Sequence, residues 1–152
     1  MALLVLFVGK TKEGYISQGI EKYARLAGRH VKVELRELKG SSKTEPRAAV
    51  SEEGDAILER LAPEDFLVAL DERGKLFDSA GFAGELGRLL ESGRRVVFAS
   101  GGPFGISEGV KARAGLVLSL SRLTFTHEMA RLVLLEQIYR AITINKGMTY
   151  HY

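Results

Sequence analysis

Five short apolar runs, each rich in β-branched or bulky residues, alternate along this chain with segments whose apolar residues recur at helical spacing. The runs are Leu3 to Val8, Val31 to Leu38, Phe66 to Leu70, Val96 to Ala99 and Leu116 to Leu120. Between them, Gly14 to Ala27 places Ile16, Ile20, Tyr23 and Ala27 on one stripe, and Pro46 to Leu61 does so with Val50, Ile57, Leu58 and Leu61. Ser79 to Ser92 aligns Phe82, Leu86, Leu89 and Leu90, and Ser107 to Ala114 makes a short helix. Strands that alternate with helices must cross over between neighbours, so the pattern predicts an α/β fold: a mostly parallel sheet flanked by helices on both faces. At 152 residues the chain fits a single domain, 1–152, large enough to bury its own core. The polar stretch Lys39 to Glu45 reads as a mobile surface loop within that domain.

The last helix begins near Thr126, a suitable N-cap, with Glu128 favourably placed in the first turn. From Met129 to Ile142 its apolar residues cover more than one stripe. A helix apolar on so much of its circumference is expected to be buried on several sides, which a small domain achieves by pairing with a second copy of itself, so a homodimer is expected.

Composition removes several classes of chemistry. There is no cysteine, hence no disulfide, thiolate metal site or thiol nucleophile, which suits a cytoplasmic protein. No metal-ligand spacing of His or carboxylates occurs, and no metal is expected. The apolar opening, Met1 to Gly9, lacks a basic leader and is too short to span a bilayer, so it reads as a buried strand and no membrane association is expected. A formal net charge of +3 permits contact with nucleic acid and does not establish it.

Two loops carry the signal for a ligand. After the run ending at Ala99 comes Ser100-Gly101-Gly102-Pro103-Phe104-Gly105, where glycines allow bare backbone to approach a ligand; a tight strand-to-helix connection explains them equally well. The loop is neither a Walker A sequence nor the glycine fingerprint of a dinucleotide fold, which disfavours a dinucleotide oxidoreductase. The second loop, Leu118 to Phe125, sets Ser119, Ser121 and Thr124 beside Leu120, Leu123 and Phe125, the mixture of apolar walls and polar groups that an adenosine requires. Among three histidines, His30 falls in a turn, His127 at a helix start, and His151 in a Tyr-His-Tyr ending. Glu136 and Arg140 form an i,i+4 pair on the last helix, and the guanidinium suits phosphate or carboxylate.

These residues together resemble a family, the RlmH methyltransferases of the SPOUT class, which modify N3 of a pseudouridine in large-subunit ribosomal RNA. The matching pieces are Val5-Leu6-Phe7-Val8-Gly9-Lys10, Leu70-Asp71-Glu72-Arg73-Gly74-Lys75, Gly101-Gly102-Pro103-Phe104-Gly105 and Leu118-Ser119-Leu120-Ser121, then Thr124 with His127, Arg131, Glu136-Gln137 with Tyr139-Arg140-Ala141, and Tyr150-His151. The resemblance implies a C-terminal trefoil knot, S-adenosyl-L-methionine as cofactor, a homodimer, and ribosomal RNA or the ribosome as partner. It implies cofactor contacts at Leu70, Gly101, Leu120, Ser121, Arg122, Leu123, Thr124 and Phe125, and it leaves His127, Arg140, Tyr150 and His151 as alternatives for the catalytic role. Thr126 stands where the family commonly has Pro, and Tyr152 where it usually has a basic residue. The alternative in a different class is a non-catalytic nucleotide- or RNA-binding module of the same fold.

Overall fold

The computed structural model describes residues 1–150. In chain order the elements are β1 (Ala2–Val8), α1 (Gly14–Gly28), β2 (Lys32–Leu38), α2 (Pro46–Leu58), β3 (Phe66–Lys75), α3 (Ser79–Glu91), β4 (Val96–Ser100), α4 (Glu108–Arg113), β5 (Leu116–Leu118) and α5 (His127–Asn145). The sheet has the order β2-β1-β4-β3-β5, and every neighbouring pair is parallel. All strands therefore end at one edge, and the loops that follow them gather there.

Alternation along each strand explains the two layers. Leu3, Val5 and Phe7 of β1, Val96 and Phe98 of β4 and Val68 of β3 pack with α1, α3 and α5. Their sequence neighbours Leu4, Leu6, Val8, Val97, Ala99, Leu67 and Ala69 pack with α2 and α4 on the other face. Both faces being covered, the central strands read as unbroken apolar runs. The helix starts follow from side-chain caps: Glu45 accepts from the backbone N–H of Arg47 and Ala48, Asp78 from Gly81, Ser107 from Val110 and Thr126 from Met129.

Three expectations change. The inward face of α2 consists of Ala49, Glu53, Gly54 and Ile57, whereas Val50 and Leu58 are half-buried. Small residues and a carboxylate make that contact, so apolar periodicity misplaces the stripe. The stretch Lys39 to Glu45 is tied down: Ser41 N–H donates to the buried Glu53 carboxylate at 2.9 Å, and Lys43 pairs with Glu52 at 3.2 Å. Much of the apolar surface on α5 is covered within one chain, while Met129, Leu132 and Val133 stay half-buried. Leu134, Leu135 and Ile138 are wholly buried, packed with α1, α3 and the sheet, so the helix does not require a second copy to shelter them. Among the described residues no helix is long and apolar enough to cross a membrane.

Candidate functional site

At the carboxyl edge of the sheet the loops enclose a cleft of about 440 Å³. Its walls come from the end of β3 (Leu70 to Arg73), the turn after β4 (Ser100 to Ile106) and the segment from Leu118 through His127. This is the edge at which open parallel sheets bind ligands, because the loops diverge there while the strand ends hold them at fixed spacing.

Each wall has a local cause. In the turn after β4, Gly102 pairs with Gly105 across a short bridge, and Gly105 N–H donates to the Gly102 carbonyl at 3.0 Å. A Cβ on Gly101 would fall inside contact distance of the Gly105 carbonyl, so the glycine at 101 is what lets the turn close on itself. The β3 wall is an excursion. Both Leu70 and Lys75 are paired with Leu118, so Asp71 to Gly74 loop out between them. Gly74 sits where a Cβ would be 2.5 Å from the Val117 carbonyl oxygen. The Ser119 hydroxyl donates to the Glu72 carbonyl at 2.9 Å, and Arg122 donates to the carbonyls of Glu72 and Gly74. The polar run after Leu70 thus belongs to the strand, which periodicity ended at Leu70.

Of the residues singled out in the sequence, Leu70, Gly101, Leu120, Ser121, Leu123, Thr124, Phe125 and His127 all line this one cleft. The Arg122 side chain is turned away into its staple on the β3 excursion. Leu123 is 78% exposed and Phe104 57% exposed, so the mouth is rimmed by apolar side chains facing solvent. Asp71 and Lys111 also line the cleft and pair at 2.7 Å. Burial opposes the charge on Asp71, yet the Lys111 ammonium and the Arg73 N–H outweigh it and hold the carboxyl below its ordinary value. No short motif joins Asp71 to Lys111 in the sequence; only the packing of α4 beside β3 brings them together.

His127 lies below its ordinary value, first because it is partly buried, then because the charges of Arg131 and Lys12 disfavour a second cation. The ring is therefore neutral near pH 7 and able to accept a proton. One turn later Arg131 is completely buried, donating to the Val8 carbonyl at 2.6 Å and the Thr11 hydroxyl at 2.8 Å, with its guanidinium 4.9 Å from the centre of the Phe7 ring. Sequence reading noted this arginine only as part of a motif; a charge in an otherwise apolar stretch of α5 was the available signal.

Arg140 and Tyr150 lie elsewhere. Both of the Arg140 donors reach Glu136 Oε1, at 3.0 and 2.6 Å, and the Tyr150 hydroxyl donates to the same oxygen at 3.1 Å. The Tyr150 ring stacks edge-on against Tyr139 at 4.7 Å, and Tyr23 of α1 completes the cluster. Burial first, then the Tyr23 hydroxyl and Glu136, push the Tyr150 phenol well above its ordinary value, so it remains a donor. His151 lies outside the described residues. Among the described residues no group of His, Asp or Glu is arranged to hold a metal ion.

The family model described as predicted SPOUT methyltransferase matches residues 1–151. Curated relatives named ribosomal RNA large subunit methyltransferase H match end to end. The one from Trichlorobacter lovleyi is 43% identical and covers 100% of both chains, and the one from Anaeromyxobacter sp. (strain Fw109-5) is 45% identical over 99% of both. That from Desulfotalea psychrophila is 43% identical over 97% of both. A solved SpoU methyltransferase, AviRb from Streptomyces viridochromogenes in complex with AdoMet, has a TM-score of 0.48 and 17% identity over 91% of this chain and 57% of its own. With a full-length family match and relatives above 40% identity, the chain belongs to the SPOUT methyltransferases, among the ribosomal RNA large subunit methyltransferase H proteins.

Proposed function

We propose that this protein moves the methyl group of S-adenosylmethionine to N3 of a pseudouridine in large-subunit ribosomal RNA, working on ribosomes or their RNA in the cytoplasm as a homodimer with a knotted C-terminal half. The observation that carries this reading is the single cleft that collects both ligand loops, in a chain whose relatives are named for this modification.

The cleft suits the cofactor. Its volume of about 440 Å³ falls in the range of small-molecule sites, and Leu70, Leu118, Leu120 and Phe125 offer apolar walls to a purine. The backbone of the Gly101 turn and of the Ser121 segment offers polar groups to its edge. When bound, the cofactor supplies an electrophilic methyl on a sulfonium. The rest falls to the chain. The cleft must hold the acceptor nitrogen in line with that methyl, and the imide proton must leave for N3 to react. Neutral His127 at the cleft is the proton acceptor in this reading. Arg140 cannot serve as one, since a guanidinium keeps its protons, and it steadies charge or phosphate instead.

The length of α5 supports the dimer in this reading. His127 and Arg140 are 13 positions apart on one straight helix, hence roughly 20 Å apart along its axis at 1.5 Å per residue. If both act on one nucleotide, as this reading has it, they come from different subunits. A two-fold pairing that crosses α5 with its partner brings Arg140 and Tyr150 of one subunit to the cleft of the other.

The test is transfer of labelled methyl from S-adenosylmethionine to ribosomes and to free large-subunit RNA lacking the modification, followed by digestion to nucleosides. Label on a pseudouridine is the expected result. Purified protein that binds the cofactor but labels neither substrate would overturn the reading in favour of a binding module.

A further inference from the structure

The segment Gly9-Lys10-Thr11-Lys12-Glu13, between β1 and α1, is built more tightly than a connecting turn requires, and the cleft chemistry does not use it. Gly9 N–H donates to the Leu38 carbonyl at 2.6 Å, and Thr11 N–H donates to the Glu37 carboxylate. Lys12 and Glu13 N–H both donate to Glu128 Oε1 at 3.0 Å. The buried Arg131 takes the Thr11 hydroxyl from below. Backbone donors of an exposed loop ordinarily go to water. Here they are held by two carboxylates and a neighbouring strand; the Glu128 carboxylate is buried, while that of Glu37 stays partly exposed.

What this scaffold displays is a pair of ammonium groups. Lys10 and Lys12 are exposed, and neither forms an ion pair among the described residues. Their place is beside the cleft. Glu128, which holds the backbone of Lys12, directly follows cleft-lining His127, and the Val8 side chain that leads into the loop sits against Gly102 of the cleft turn. S-adenosylmethionine offers one carboxylate and no phosphate, whereas RNA offers a row of phosphates, the chemistry that suits two exposed cations on one loop outside the cleft lining.

We infer that Lys10 and Lys12 form a phosphate clamp for the ribosomal RNA backbone next to the target nucleotide, an inference that rests on the methyl-transfer reading above. A lysine grips phosphate as a mobile charge and reads no sequence, so the clamp positions the strand over the cleft. Because the loop backbone is already fixed, the RNA need not order it on binding.

The experiment compares wild type with the double variant Lys10→Gln/Lys12→Gln. A control double variant, Arg29→Gln/Lys32→Gln, removes the same charge from exposed residues at the opposite edge of the sheet. Methyl transfer to ribosomal RNA substrate and direct binding to a large-subunit RNA fragment are both measured across a salt series. Measured at about pH 8, where His127 is neutral with or without the Lys12 charge, the clamp variant is expected to raise KM for the RNA substrate about tenfold, with kcat and cofactor affinity nearly unchanged. The slope of log affinity against log salt should fall by about 0.7 to 0.9 for each lost phosphate contact. The control should match wild type in both. A clamp variant with wild-type KM and salt slope, or a control variant equally impaired, overturns the clamp while leaving the methyl-transfer reading intact. Wild-type protein that binds RNA through these lysines yet methylates nothing overturns the activity and leaves the clamp standing. Absence of any RNA binding overturns both.

Discussion

The two halves of α5 treat charge in opposite ways. In the first half, Glu128 and Arg131 are buried and spend their bonds on backbone groups of the loop after β1, 115 to 123 positions away in sequence. In the second half, Glu136 and Arg140 are half-buried and bond to each other, and Tyr150, beyond the helix end, bonds to Glu136 and to Tyr23. The first set finds its partners within one chain and ties the start of α5, next to cleft-lining His127, to the loop after β1. The second gathers a cation and a phenol beside α1 on a surface that stays partly open to solvent. Arg131 is buried and bonded through its two terminal nitrogens, with its Nε left without a partner, whereas Arg140 stays partly within reach of solvent.

That contrast breaks first on stability. Arg131→Ala strips the buried Val8 carbonyl and Thr11 hydroxyl of their donor and leaves a cavity, at a cost of about 3 kcal/mol or more. Arg140→Ala removes a partly exposed i,i+4 pair and should change stability by less than about 1 kcal/mol. Urea denaturation of both variants decides the matter, and equal losses would erase the distinction between the two halves.

The next effect is on activity and tests whether the second half serves another subunit. Gly101→Val forces open the turn after β4 and should lower cofactor affinity about 100-fold, close to 2.7 kcal/mol. Arg140→Ala should leave cofactor affinity alone and cut methyl transfer by a similar factor. If each site draws its cleft from one subunit and Arg140 from the other, mixing the two variants restores one good site in every mixed dimer, about a quarter of wild-type activity after random exchange. If the sites lie within single chains, the mixture stays inactive. Sedimentation of the wild type as a monomer at micromolar concentration would dismiss the arrangement altogether.

The sheet was legible because β1 and β4, covered on both faces, write their burial directly into unbroken apolar runs. The two ligand loops were legible because glycines and mixed polar-apolar residues are local signals. What escaped reading depends on distance along the chain. Asp71 meets Lys111, and Arg131 meets Val8 and Thr11, only after the strands are ordered β2-β1-β4-β3-β5. Leu134, Leu135 and Ile138 of α5 are sheltered by α1 and α3, which announce only their own inward stripes in the sequence.

The smallest effect concerns His127, the one titrating group at the boundary between cleft and buried anchor. Burial and then the Arg131 charge hold its ring below the ordinary 6.5. The folded protein therefore disfavours the imidazolium, so this residue's contribution to stability is complete above 6.5. It is lost only as pH falls from there through the lowered folded value. In the methyl-transfer reading the acid limb of kcat/KM lies in the same window, because only the neutral ring accepts a proton. Arg131→Met keeps most of the side-chain volume and removes one of the two neighbouring cations that depress the ring. It should shift both the NMR titration of His127 and the acid limb upward together. An NMR titration that moves while the activity limb stays put would show that His127 lines the cleft without carrying the proton.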